Sequence, residues 1–224
     1  MELVVKTPVT REPVTLLAPI GLAGEWAEPE GARALVVFAH GSGSSRASPR
    51  NRYVSEVLHA RGLATLLFDL LAPGEADERG LVFDAALLGA RLVQVLDALR
   101  ADATRPLGQA RVGLFGASTG AAAALVAAAE RPARVSALVS RGGRGDLAGA
   151  AIARVQAPTL LVVGGADTEV LRLNRAVLAA LRGPKRLEVV PRATHLFEEP
   201  GALDAVAHLA ADWFVRHAQT RGAA

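Results

Sequence analysis

The chain has 224 residues, 51% of them hydrophobic, and a net charge of +3. That length and apolar content suit one domain with a sizeable buried core. The absence of cysteine excludes a disulfide framework, thiolate metal sites and a cysteine nucleophile, and the basic residues, nearly all Arg and scattered singly, form no stripe for nucleic acid.

In chain order, residues 1–30 read as short strands at 3–5, 14–17 and 21–26, broken by Pro8, Pro13 and Pro19. Proline removes a ladder donor, so this pattern predicts antiparallel edge strands. From residue 31 to 217 the chain alternates apolar runs with helical patterns. The strand runs are 34–39, 64–69, 112–115, 135–140, 159–163 and 186–190; the helical stretches are 50–61, 84–102, 119–131, 169–182 and 201–217. Runs that are apolar throughout mark strands buried on both faces, and their alternation with helices predicts a largely parallel α/β sheet. The whole of 1–224 is therefore expected to be a single domain, with 1–30 at the sheet edge and 31–217 as the catalytic core. No apolar run approaches the roughly 20 residues needed to cross a bilayer, and the N-terminus lacks a secretory pattern, so no membrane association and a cytoplasmic location are expected.

The first chemical motif follows the strand run 34–39: His40-Gly41-Ser42-Gly43-Ser44-Ser45. Its glycines let backbone amides face a ligand. The stretch lacks the lysine of a P-loop and the spacing of a dinucleotide fingerprint, so a phosphate cradle is the weaker reading.

Val112-Gly113-Leu114-Phe115 then runs into Gly116-Ala117-Ser118-Thr119-Gly120 and the Ala-rich stretch 121–129. Strand, tight turn and helix in succession are the context of a nucleophile elbow, in which small residues two positions either side of the serine relieve crowding. An ordinary glycine turn with Ser118 as a helix cap is the plainer alternative. A serine hydroxyl is weakly nucleophilic at neutral pH, so Ser118 requires a histidine base and an orienting carboxylate, downstream in the order acid, then histidine.

Asp167 follows the strand run 159–163 and its glycines, where ligands bind in open α/β sheets, although a helix N-cap would use the same residue. Asp146 and Glu169 are the alternative acids. His195 lies in a loop just past the last strand. His59, His208 and His217 fall within helical patterns and His40 precedes the nucleophile, so His195 is the expected base. The oxyanion donors are expected to be the backbone amides of Thr119 and Ser42, with Gly43 next.

With these parts in order over residues 30–217, the chain resembles the α/β-hydrolase superfamily. More narrowly it resembles the dienelactone hydrolase-related branch, on the stretches 37–45 and 193–197. Ser48-Pro49-Arg50-Asn51-Arg52 and Ser140-Arg141-Gly142-Gly143-Arg144 look like hydrolase domains sometimes fused to phosphoribosyltransferase domains. The resemblance implies an α/β-hydrolase fold with a mostly parallel sheet of about seven or eight strands flanked by helices and no cap domain. It implies a Ser118–His195–Asp167 triad and a serine hydrolase. A carboxylesterase on small esters is the leading reading, with lactone hydrolysis, acyl transfer and a catalytically silent binding protein as alternatives. Dienelactone hydrolases proper carry a cysteine where this chain has Ser118, so their lactone specificity does not transfer.

His40, Gly43, Arg46 and Arg141 are candidate substrate contacts. The two arginines are candidates for holding an anionic group, against the plainer reading that loop arginines pair with nearby carboxylates. No metal or cofactor is expected, since a triad makes its nucleophile without one. The expected partner is a small ester, with no nucleic acid, acting as a monomer or homodimer.

Overall fold

The computed structural model describes residues 8–217, and in it the apolar runs become the strands of one eight-stranded sheet. The N-terminal stretch differs from expectation. β1 (Val9–Leu16) runs unbroken through Pro13 and forms a hairpin with β2 (Leu22–Pro29). β1 is the outermost strand, with one neighbour, so a residue without an N–H is tolerated there. Pro19 lies in the connecting turn, and the run 3–5 falls outside the described residues.

Beyond the hairpin the elements follow as β3 (Ala34–Ala39), α1 (Pro49–Ala60), β4 (Leu63–Phe68), α2 (Pro73–Ala76), α3 (Arg79–Val82), α4 (Ala85–Ala101) and α5 (Pro106–Gln109). Then come β5 (Val112–Ala117), α6 (Thr119–Glu130), β6 (Val135–Arg141), a 3₁₀ segment Gly145–Arg154, β7 (Thr159–Gly164), α7 (Thr168–Ala180), β8 (Lys185–Val190) and α8 (Ala202–His217). The sheet order is β1-β2-β4-β3-β5-β6-β7-β8; β3 to β8 run parallel to their neighbours and β2 joins β4 antiparallel. The three four-residue helices and the 3₁₀ segment were not anticipated, because such pieces are too short to show a helical period.

Side chains alternate across the sheet and every residue of β3 is buried. Leu35, Val37 and Ala39 join a core beneath α4, α6 and α7; Ala34, Val36 and Phe38 join a second core beneath α1 and α8. The Phe38 and Phe115 rings meet at 4.8 Å in the second core. Helix α6 is almost wholly buried, and its run of alanines lets α4 and the 3₁₀ segment approach it closely. The packing holds β5 and the first turn of α6 at the centre of the sheet, where the carboxyl ends of parallel strands converge on one edge. Among the described residues, no helix is long and apolar enough to cross a membrane.

Candidate active site

β5 ends at Ala117 and α6 begins at Thr119, so Ser118 alone makes the turn. Its backbone sits at φ 51° and ψ −122°, a conformation L-residues rarely adopt and one that surrounding structure must enforce. The enforcement is visible at the flanking glycines. A Cβ on Gly116 would lie 2.5 Å from the Ala121 Cα, and one on Gly120 would lie 2.2 Å from the Ala39 carbonyl oxygen. Only a residue without a side chain lets the helix start this close to β3 and β5.

His195 comes from the loop after β8. That loop is pinned by Phe197, buried in the α8-side core, and by the Thr194 amide donating to Glu199 Oε1 at 2.9 Å. The Ser118 Oγ donates to His195 Nε2 at 3.3 Å, and His195 Nδ1 donates to Asp167 Oδ2 at 2.7 Å. The first contact is long for such a bond. Asp167 occupies the N-cap position of α7, yet its side chain makes no capping bond and turns to the imidazole. The alternative acids are engaged elsewhere: Asp146 takes the Arg144 guanidinium at 2.9 and 2.8 Å, and Glu169 takes Arg172 at 3.0 and 2.7 Å.

The oxyanion loop is more constrained than its glycines suggest. The Leu70 amide donates to His40 Nε2 at 3.1 Å, leaving His40 Nδ1 to donate to the Gly41 carbonyl at 2.9 Å. Burial pushes the His40 pKa down, so a neutral imidazole ties β3 to the end of β4. The Ser42 amide, expected to face substrate, donates instead to Thr119 Oγ1 at 2.8 Å. Gly43 takes a positive φ of 66° in the same loop, and its amide makes no backbone bond among the described residues.

The two candidate arginines part company. Arg46 is ion-paired with Asp69, which also accepts from the Arg46 amide at 2.6 Å, so this residue fastens the loop. Arg141 is buried at 7% exposure, and its Nε and Nη1 have no hydrogen-bond partner among the described residues.

The α/β hydrolase fold family matches residues 34–184 of this sequence, two thirds of the chain and all of β3 to α7. The chain belongs to the α/β-hydrolase family. A structure of a dienelactone hydrolase from Anabaena variabilis is 52% identical to this hydrolase, covers 94% of it and 99% of its own chain, and superposes with a TM-score of 0.90. The hydrolase therefore lies in the dienelactone hydrolase-related branch. An α/β serine hydrolase without lid from Xanthomonas campestris shares the fold at 22% identity, with 93% and 95% of the two chains covered and a TM-score of 0.72.

A Mycobacterium tuberculosis protein that bears a provisional phosphoribosyl transferase name is 57% identical over 212 residues. The match takes in 94% of the hydrolase and 47% of that protein, so the chain spans about half the length of this relative.

Beside the oxyanion loop the hydrolase has a cavity of about 460 Å³, lined by Ser42, Gly43 and Thr119 together with Leu70, Leu71, Val82 and Leu88. These apolar residues escaped the sequence reading: Val82 lies on α3, which is too short to leave a pattern, and Leu70, Leu71 and Leu88 come together with it only once β4 and α4 are in place. Asp69 was missed too; a carboxylate ending a buried strand was the available signal. Gly142 was also missed, and a Cβ there would approach the His195 imidazole at 3.5 Å.

Proposed function

We propose that the protein is a serine hydrolase that cleaves small carboxylic esters through an acyl-enzyme on Ser118. The observation that carries this reading is the unbroken line of hydrogen bonds from Asp167 through His195 to a serine in a strained elbow. Ser118 Oγ bonds to the ester carbonyl carbon as its proton passes to His195 Nε2, and the carbonyl π pair moves onto oxygen beside the Thr119 amide. The tetrahedral adduct collapses, the C–O bond to the alcohol breaks, and the leaving oxygen takes the proton from His195. Water then attacks the acyl-enzyme with His195 again as base, releasing the acid and restoring Ser118. Asp167 holds the Nδ1–H tautomer and stabilises the imidazolium formed at each step.

The apolar lining of the cavity supports an aliphatic or aromatic group of modest size on the ester. Arg141, charged and with its Nε and Nη1 unpartnered among the described residues, supports preference for a substrate bearing an anionic group. A second reading, lactone hydrolysis, is favoured by the dienelactone hydrolase name of the Anabaena relative.

Turnover of p-nitrophenyl esters of graded chain length, one carboxylate-bearing ester and one lactone separates these readings. Ser118→Ala and His195→Ala are expected to lower turnover by about 10⁴ to 10⁶ while remaining folded. An active Ser118→Ala variant would exclude the mechanism.

A further inference from the structure

We propose that the Thr119 side-chain hydroxyl, in place of the Ser42 amide, is the second donor of the oxyanion hole; this rests on the serine hydrolase reading. The starting point is a conflict at the loop after β3. A backbone amide has one proton, and that of Ser42 is directed at Thr119 Oγ1, 2.8 Å away. The loop carrying it is not free to turn. His40 accepts from the Leu70 amide, Asp69 accepts from the Arg46 amide, and a Cβ on Gly41 would come within 2.9 Å of the Ser118 Cβ.

The hydroxyl resolves the conflict. It accepts from Ser42 through one lone pair and keeps its own proton, for which no acceptor stands among the described residues. Thr119 is 3% exposed, so that proton is also largely cut off from bulk water. A buried O–H without an acceptor is costly, and the deficit ends when an acceptor arrives with substrate. Thr119 is the residue after the nucleophile and lines the cavity beside the oxyanion loop. Its own amide opens at the positive end of α6, so a single residue presents an N–H and an O–H to the developing oxyanion. The Ser42 amide polarises the O–H from behind, which makes it a stronger donor.

The test compares Thr119→Val, which keeps the branched shape and removes the hydroxyl, with Thr119→Ser, which keeps the hydroxyl, on p-nitrophenyl butyrate. Thr119→Ala serves as a second variant without the hydroxyl, and thermal midpoints identify any that fold poorly. The expected result is a fall in kcat of about 10² to 10³ for the Val and Ala variants with KM little changed, and a loss under about tenfold for Ser. Wild-type turnover in Thr119→Val would overturn the proposal, because the released Ser42 amide would then be sufficient. Equal losses in the Ser and Val variants would also overturn it, since packing at the start of α6 would account for both. Ser118 labelling by a fluorophosphonate in the wild type tests the parent reading separately, because that outcome does not depend on which donors complete the hole.

Discussion

Arg141 ends β6 with its side chain buried. Burial, with the nearby Arg50 charge adding to it, lowers the Arg141 pKa to about 10, so the side chain is still a cation at neutral pH. A buried cation without a counterion is destabilising, and replacing it by an apolar group of similar length relieves the cost. Arg141→Met is therefore expected to melt above the wild-type temperature, by an amount corresponding to about 1 kcal/mol. Its turnover of a carboxylate-bearing ester should fall relative to a neutral one. A clear drop in thermal midpoint, measured by calorimetry, would contradict this account. Residue type and position in the chain put Arg141 and Arg46 on an equal footing. Asp69, 23 positions from Arg46, separates them, and such a pairing becomes visible only once β3 and β4 lie side by side.

The loop from β3 to α1 is held by side chains whose ionisation matters. His40 is kept neutral by burial, so its folded pKa lies below the ordinary value. As pH falls below about 6.5, the unfolded chain takes up a proton that the folded imidazole resists, and folding stability declines. His59, buried in the last turn of α1 and hydrogen-bonded to Thr65 at 2.8 Å, shifts in the same direction and adds to the effect. The thermal midpoint should fall between pH 7 and pH 5. His40→Gln, which retains an acceptor for the Leu70 amide but cannot titrate, should make that fall shallower. An identical pH slope in the variant would show that His40 is not under this constraint.

Elements of this kind were unequally legible. The strands from β3 to β7 were placed within a residue or two because burial on both faces leaves a continuous apolar run; β8 was placed as closely, but it is the opposite edge strand, with Lys185, Arg186 and Val189 exposed, and is not buried on both faces as expected. β1 was split because proline reads as a breaker until the strand is known to lie at the edge. The elbow was legible because its sterics act on neighbours in sequence. The engagement of the Ser42 amide was not, since it depends on a contact between residues 77 positions apart.

At the scale of the molecule, the sheet brings together residues that the chain keeps far apart. Ser118 and His195 are separated by 77 positions and Asp167 and His195 by 28, yet all three meet at one edge because β5, β7 and β8 run parallel in a single sheet. The order of acid and base along the chain was legible, and the distances followed from topology. The half-length match to the mycobacterial relative makes the hydrolase module the unit whose chemistry is to be tested.

The most direct measurement is labelling of the intact protein with a fluorophosphonate followed by peptide mass spectrometry. One label per chain on the peptide containing Ser118, lost in His195→Ala, is the predicted result. Failure to label, or a label on another serine, would contradict the assignment of Ser118 as nucleophile.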